Sequence, residues 1–153
     1  MQRMEIISGK HETKEVLVLL AAEVLIPYLK KGRSLVLTLS GSLGAGKTQT
    51  AKWLARSLGI RHPLRSPTFM LWQSYPFIIG RKRYMLHHLD LYRLEQPRDI
   101  FKLSFRTILR EPGNLIMVEW GEQIHRWLPK PFLNLTLQRV GSTKRKLIFT
   151  SHG

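Results

Sequence analysis

Hydrophobic positions along this chain change from a helical period to short unbroken runs and back. In residues 12–29 apolar side chains recur every three or four positions, which predicts a helix that stops or kinks near Pro27. Residues 34–39 and 115–119 are nearly continuous apolar runs, typical of strands that are covered on both faces of a sheet. Residues 47–58 return to the helical pattern and end before a glycine.

The remaining segments predict strands at both ends and in the middle of the chain. The predicted strands are an edge strand at 4–7, a pair at 68–75 and 83–91 joined through a turn with Pro76 and Gly80, and a terminal hairpin of 132–139 and 145–150 around Gly141. A helix is predicted at 97–109 and a turn at 112–114. This order predicts an α/β fold with a mixed, partly antiparallel sheet flanked by helices.

Length and composition exclude several classes of protein. The 153 residues suit one core, so residues 1–153 are expected to form a single domain. The absence of cysteine excludes disulfides, thiolate catalysis and cysteine-ligated zinc. No apolar run is long enough to span a bilayer, and the N-terminus does not resemble a secretory signal. We therefore expect a cytoplasmic protein that does not act in a membrane.

The charge is the unusual bulk property. Lys and Arg number 25 against 10 Asp and Glu, which gives a formal net charge of +15. A surface this basic attracts nucleic acid through its phosphates, although a basic proteome or solubility explains the charge equally well. The clusters at 81–83 and 144–146 are candidate contacts to nucleic-acid phosphates, although a solvated hairpin tip explains the first cluster at least as well.

A phosphate-binding motif lies between the first buried strand and the helix after it. Residues 41–48 match G-x-x-x-x-G-K-[ST] at every fixed position. The glycines let backbone N–H groups point at phosphate oxygens, Lys47 reaches the β- and γ-phosphates, and the Thr48 hydroxyl binds Mg²⁺. The segment therefore predicts binding of a nucleoside triphosphate with Mg²⁺ by Gly41, Ser42, Leu43, Gly44, Ala45, Gly46, Lys47, Thr48 and the residue that follows them, Gln49.

Such a loop needs a carboxylate at the end of a neighbouring strand. Asp90 and Glu119 each end an apolar stretch, so we predict them, together with Lys47, as the catalytic residues. The Ser66-Pro67-Thr68 segment has the composition of a switch loop that senses the γ-phosphate, but it also suits an ordinary turn.

Four segments in this order carry a resemblance to a known family. They are Gly-Ser-Leu-Gly-Ala-Gly-Lys-Thr at 41–48, Ser-Pro-Thr-Phe at 66–69, His-Leu-Asp-Leu-Tyr-Arg-Leu at 88–94 and Val-Glu-Trp at 118–120. Together they resemble the TsaE (YjeE) family over almost the whole chain. The resemblance implies a P-loop ATPase whose hydrolysis is weak alone. It also implies a role, with TsaD and TsaB proteins, in forming N6-threonylcarbamoyladenosine at adenosine 37 of tRNAs that read codons beginning with A.

The resemblance also implies roles for individual residues. Glu119 matches the metal-associated glutamate and Asp90 the acid needed for hydrolysis, while Thr13 and Arg145 match positions close to the nucleotide. His88 belongs to the same motif as Asp90, and we expect it to support Asp90 by hydrogen bonding rather than to act in catalysis.

The chain departs from the family pattern inside the P-loop. Ser42 stands where members usually carry an acid, which bears on the hydrolysis rate. Two alternative functions stay open at this point, and Ser42 bears only on the second. One is a small P-loop kinase for a nucleoside or small molecule, which would need an acceptor pocket and an arginine-rich lid. The other is a nucleotide-gated binding module with negligible hydrolysis.

Overall fold

The structure is a computed structural model that describes residues 3–65 and 70–153. Its strands are β1 (Arg3–Ser8), β2 (Leu35–Ser40), β3 (Trp72–Ile79), β4 (Lys82–Asp90), β5 (Asn114–Glu119), β6 (Phe132–Val140) and β7 (Lys144–His152). Its α-helices are α1 (Lys10–Leu20), α2 (Ile26–Lys30), α3 (Lys47–Ser57) and α4 (Phe105–Arg110). A π-helical turn (Ala21–Leu25) joins α1 to α2, and two 3₁₀ helices span Pro97–Lys102 and Gly121–Trp127.

The strands form one mixed sheet in the order β1-β7-β6-β2-β5-β4-β3. The four central strands, β4, β5, β2 and β6, run parallel. Antiparallel pairing joins β3 to β4 at one side, and β7 to β6 and β1 to β7 at the other. Every residue of β2 and β5 is buried, as their unbroken apolar runs predict. The predicted α/β class and partly antiparallel sheet are confirmed.

Two apolar layers cover the central strands. Leu35, Leu37 and Leu39 of β2 pack with α1 and α3 in one layer, whereas Val36 packs in the other with side chains from residues 89–132. Side chains alternate across a strand, so β2 contributes to both layers. The carboxyl ends of β2, β4 and β5 are thereby held at one edge of the sheet, where the P-loop begins.

The first long helix passes through Pro27, which was expected to stop or kink it. The helical run passes through the π-helical turn Ala21–Leu25 and reaches Lys30. Pro27 has no N–H, and its ring excludes close approach of the Glu23 carbonyl. A wider turn before the proline accommodates that loss without ending the helix.

The strand β3 departs from the prediction at both ends. The predicted strand began at 68, but residues 66–69 lie outside the described part of the chain. Pro76, expected in a turn, lies inside β3, which is tolerated because β3 is an edge strand. The turn consists of Gly80 and Arg81, with Gly80 at φ 63°.

The helix predicted over 97–109 is divided into two short helices. Ile100, Phe105 and Ile108 are all buried in one layer. On a continuous helix Ile100 and Phe105 would be separated by about 140° at ~100° per residue. Extended backbone at Leu103 breaks the helix and brings both side chains to the same core.

None of the helices in residues 3–65 and 70–153 combines the length and the apolar character that crossing a bilayer requires.

Candidate nucleotide-binding site

The P-loop connects the end of β2 to the start of α3, and its backbone requires glycine. Gly41, Gly44 and Gly46 have φ values of 136°, 74° and 104°, which side-chain-bearing residues rarely adopt. At Gly41 an added Cβ would lie 2.3 Å from the carbonyl oxygen of Leu137, whereas at Gly44 and Gly46 it would meet nothing. Position 41 therefore requires glycine because of its backbone conformation and its packing against β6. The other two positions require glycine because of conformation alone.

This difference gives a test of the loop's packing. Gly41→Ala is expected to lower the free energy of unfolding by about 3 kcal/mol or more, since the positive φ costs about 1–2 kcal/mol and the overlap adds at least as much. The matched variant Gly44→Ala should lose only about 1 kcal/mol. Urea unfolding of both proteins measures the difference, and equal losses would mean that Leu137 does not restrict Gly41.

The side chain of Lys47 folds back over the P-loop. Its side chain is 5% exposed, and its Nζ donates to the carbonyl oxygens of Gly41 at 2.6 Å and Ser42 at 2.9 Å. The Nζ also lies 3.7 Å from the centre of the Trp120 ring. Burial lowers the pKa of Lys47, and the nearby carboxylates of Glu122, Glu119 and Asp90 oppose that shift. The ammonium group is thus held among oxygens and a ring face at the centre of the loop.

The two predicted carboxylates meet at the carboxyl ends of neighbouring strands. Asp90 of β4 pairs in register with Glu119 of β5, and both are buried. Glu119 Oε2 accepts a hydrogen bond from the Thr48 hydroxyl at 2.7 Å, while Asp90 Oδ1 accepts one from the Tyr92 N–H at 2.9 Å. Together with Lys47 they line a cleft of ≈ 340 Å³. The structure therefore brings the predicted catalytic residues to one place.

The donors in this cleft are those that Mg²⁺ prefers. The Thr48 hydroxyl and the carboxylates of Asp90 and Glu119 are hard oxygen ligands. Mg²⁺ usually binds to one or two carboxylates together with substrate phosphates and water, rather than to a cage of protein ligands. Accordingly, no group of three or more acidic, His or Cys ligands occurs among the described residues. The residues fit a phosphate-bound Mg²⁺ ion.

His88 supports a different acid from the one predicted. Its Nε2 lies 2.8 Å from Glu119 Oε1, and the two side chains are 0% and 2% exposed. The predicted support of Asp90 by His88 is wrong because the Asp90 carboxylate turns to the N–H of Tyr92, beyond the end of β4. Since a carboxylate only accepts, the Nε2 of His88 carries the proton. Both oxygens of Glu119 are thus engaged, one by His88 and one by Thr48.

His87, the residue before His88 in β4, points to the opposite face of the strand. Its Nδ1 lies 2.8 Å from the Ser74 hydroxyl oxygen, and its ring meets the Trp72 ring edge-on. Adjacent side chains of a strand point to opposite faces, so His87 and His88 contact different partners. Trp72 therefore packs against β4 and does not border the P-loop.

Trp120 borders the site, which the sequence motif alone did not establish. Its backbone is left-handed at φ 59°, and its N–H donates to the carbonyl oxygen of Leu39 at 2.9 Å. The ring packs over Lys47 on one side and lies 5.2 Å from the Tyr92 ring, centre to centre. At the next residue, Gly121, an added Cβ would lie 2.4 Å from the Thr38 Cβ. Close packing of this turn against β2 therefore positions the Trp120 ring.

A second cleft of ≈ 440 Å³ lies on the other side of the P-loop. Thr13 and Arg145, which only the resemblance related to the nucleotide, both line it. The Thr13 hydroxyl donates to the Gly9 carbonyl oxygen at 2.7 Å and shares a hydrogen bond with the Ser8 hydroxyl at 2.6 Å. This cleft has the polar rim and apolar wall that suit a nucleoside.

Other residues of the second cleft were missed by sequence reasoning. Trp53 of α3 contributes an aromatic wall, and Ser142 and Thr143 contribute hydroxyls from the turn between β6 and β7. The helical position of Trp53 after the P-loop was the available signal, whereas nothing in the sequence relates the late hairpin turn to the loop at 41–48. The predicted switch residues Ser66 and Thr68 lie outside the described residues.

Comparison with known proteins identifies relatives over nearly the full chain. The model of the family "TsaE: Threonylcarbamoyl adenosine biosynthesis protein TsaE" matches residues 10–147. The chain is 35% identical to a Rickettsia conorii protein named tRNA threonylcarbamoyladenosine biosynthesis protein TsaE, over 97% of this chain and 79% of that one. A Bacillus subtilis protein of the same name is also 35% identical, over 93% and 81% of the two chains. The crystal structure of Bacillus subtilis YdiB superposes with a TM-score of 0.67 at 27% identity, covering 99% of this chain and 87% of YdiB.

Proposed function

We propose that this chain, which belongs to the TsaE family of threonylcarbamoyl adenosine biosynthesis proteins, binds ATP with Mg²⁺ and hydrolyses it to support threonylcarbamoylation of adenosine 37 in tRNA. The observation that carries the proposal is the hydrogen bond from the Thr48 hydroxyl to Glu119 Oε2, within one cleft that also holds Lys47 and Asp90. It joins the Mg²⁺-binding position of the P-loop to a strand-end carboxylate, which is the arrangement that phosphoryl transfer requires.

The binding step follows from the P-loop and Lys47. Backbone N–H groups of the loop and the N-terminus of α3 favour phosphate oxygens. Lys47 Nζ, which now donates to the carbonyl oxygens of Gly41 and Ser42, exchanges those acceptors for β- and γ-phosphate oxygens. The second cleft receives the nucleoside between Trp53 and the turn that contains Thr143.

The two carboxylates take different parts. Glu119 bonds directly to Thr48, so we assign it to the metal, as a ligand or through a water molecule. Asp90 lines the same cleft and is oriented by the Tyr92 N–H, beyond the end of β4, so we assign it to positioning the attacking water. When bound, Mg²⁺ neutralises charge that develops on the transferred phosphoryl group. His88 holds Glu119 in place and does not touch the reacting atoms.

The partners of this activity are TsaD-like and TsaB-like proteins in the cytoplasm. The proposal gives the threonylcarbamoyl transfer to the TsaD-like protein and gives this chain the ATP cycle that resets the complex. Ser42 contributes a hydroxyl where family members usually carry an acid, so hydrolysis by this chain alone is expected to be slow.

Complementation tests the proposal directly. A strain that lacks its TsaE protein should regain N6-threonylcarbamoyladenosine when it expresses this chain, and should not regain it with Lys47→Ala at equal protein levels. Mass spectrometry of digested tRNA measures the modified nucleoside. An unmodified adenosine 37 in the presence of the folded, expressed chain would contradict the proposal.

Assays of the purified chain separate the alternatives. The kinase alternative has no support from the comparisons, and phosphoryl transfer to a nucleoside would be needed to revive it. ATP binding without phosphate release, even together with TsaD and TsaB, would instead favour a nucleotide-gated binding module.

A further inference from the structure

Two adjoining basic clefts lie away from the nucleotide site. The first, of ≈ 440 Å³, lies among the two 3₁₀ helices and α4, and the second, of ≈ 370 Å³, lies beside the start of β2. They share Leu109, Arg110 and Pro129, so they form one continuous surface. We call this surface the basic cleft. Its cationic side chains are Arg33, Arg98, Arg106, Arg110, Arg126 and Lys130.

The basic cleft lies at the opposite edge of the sheet from the P-loop. Arg33 precedes β2, Arg110 precedes β5 and Lys130 precedes β6, and these three strands run parallel. The P-loop follows the carboxyl end of β2, whereas these residues gather near the amino ends. A ligand in the basic cleft therefore leaves the nucleotide clefts accessible.

The charges of the basic cleft are not neutralised within the described part of the chain. All six cationic side chains belong to exposed residues, and none of them forms an ion pair with a described acid. Neither cleft is lined by a described Asp or Glu. Asp99, the acid beside Arg98 in sequence, is already paired with Lys102 at 2.8 Å. The surface is therefore a concave concentration of uncompensated positive charge.

Arginine and aromatic groups give this surface the chemistry of phosphate recognition. Arg106 and Arg110 lie four residues apart on α4, hence on one face, where like charges destabilise a helix. The Arg126 guanidinium carbon lies 4.1 Å over the centre of the Trp127 ring, a cation–π contact that restricts the position of this side chain. Planar guanidinium forks bind phosphate oxygens in pairs.

We propose that the basic cleft binds the phosphate backbone of tRNA, an inference that rests on the proposed function. A concave, arginine-rich surface with aromatic walls suits a nucleic-acid strand, whereas a membrane surface would favour a projecting apolar wedge beside the charges. The tRNA would thus contact the side of the sheet where the parallel strands begin, while ATP binds at the side where they end.

Direct binding of tRNA to the purified chain tests this inference. The probe is a fluorescein-labelled transcript of a tRNA that reads codons beginning with A. Its fluorescence anisotropy gives the Kd at each salt concentration of a series. R106Q/R110Q should raise the Kd roughly tenfold and reduce the slope of log Kd against log salt by about 1.5, because each lost phosphate contact contributes about 0.7–0.9. The control R56Q/R61Q removes two exposed arginines at and beyond the end of α3, outside the basic cleft, and should change the Kd less than about threefold.

Each outcome decides for or against the basic cleft. Equal weakening by both double variants would overturn the proposal in favour of diffuse charge, and no weakening by R106Q/R110Q would also overturn it. If R106Q/R110Q fails to fold, R126Q/K130Q makes the same test outside any α-helix. Loss of binding to vesicles of phosphatidylglycerol and phosphatidylcholine, with tRNA binding unchanged, would assign the surface to a membrane instead.

The same measurements keep this inference separate from the proposed function. Lys47→Ala should lose ATP turnover and keep its affinity for tRNA. If the unsubstituted chain bound tRNA but showed no ATP turnover even together with TsaD and TsaB, the proposed hydrolysis would be overturned and the basic cleft would stand. ATP turnover in that mixture, with tRNA binding that R106Q/R110Q does not weaken, would overturn the basic cleft and leave the proposed hydrolysis intact.

Discussion

Replacement of Lys47 by alanine is expected to lower kcat/KM for ATP hydrolysis by about 10²–10³-fold, the loss that follows removal of one preorganised charge-stabilising donor. Lys47 Nζ sits between the carbonyl oxygens of Gly41 and Ser42 and the ring of Trp120, at the centre of the loop that would enclose the phosphates. No other Lys or Arg lines the cleft that holds Asp90 and Glu119 among the described residues, so no neighbour replaces its charge.

The fold should survive this substitution. Burial lowers the pKa of Lys47, which means that burying its charge is itself unfavourable. Lys52→Ala is the matched control, since Lys52 lies on the same helix and lines neither nucleotide cleft. Phosphate release and ATP titration measure the two effects. Normal ATP affinity and hydrolysis in folded Lys47→Ala would exclude the P-loop as the nucleotide site.

The central sheet and the P-loop were predictable because local sequence determines them. The runs at 34–39 and 115–119 are apolar at nearly every position, and their short length favours strands covered on both faces over buried helices. Glycines of the loop adopt backbone angles that other residues disfavour, so the positions of the glycines in the sequence predict the conformation of the loop. Asp90 and Glu119 follow from the same logic, as the last residues of buried strands.

Features set by tertiary contacts were not predictable. The break at Leu103 arises because Ile100 and Phe105 both reach one core, and no local signal distinguishes that from a continuous helix. Pro76 stays in β3 because β3 forms an edge, which only the strand order reveals. The partner of His88 depends likewise on the alignment of β4 with β5.

The family resemblance related residues to the site that no motif spacing in the sequence connects to it. It related Thr13 and Arg145 to the nucleotide although they are far apart in the chain, and the structure brings both to the second cleft. It carried no information about the basic cleft, whose residues come from four separate segments and match no motif.

Glu119→Gln and Asp90→Asn are expected to fail in different ways, which tests the roles assigned to the two acids. Glu119→Gln should raise the Mg²⁺ concentration for half-maximal hydrolysis about tenfold or more, because a neutral amide is a weaker ligand for a hard cation than a carboxylate. Asp90→Asn should lower kcat by about 10²-fold at saturating Mg²⁺, the scale of losing a proton acceptor, with little change in Mg²⁺ dependence. Phosphate release with TsaD and TsaB, measured over a Mg²⁺ series, reads out both quantities.

The difference between these variants follows from their contacts. Glu119 is bonded to the Thr48 hydroxyl and held by His88, so removing its charge acts on the position where the P-loop binds the metal. Asp90 is oriented by the Tyr92 N–H and lines the same cleft, so removing its charge acts on the water that the cleft would hold. Glu23→Gln, an exposed substitution that lines neither nucleotide cleft, controls for the loss of one negative charge. If Asp90→Asn shifted the Mg²⁺ dependence and Glu119→Gln did not, the two assignments would have to be exchanged, and the bond between Thr48 and Glu119 would then serve only to hold the loop against β5.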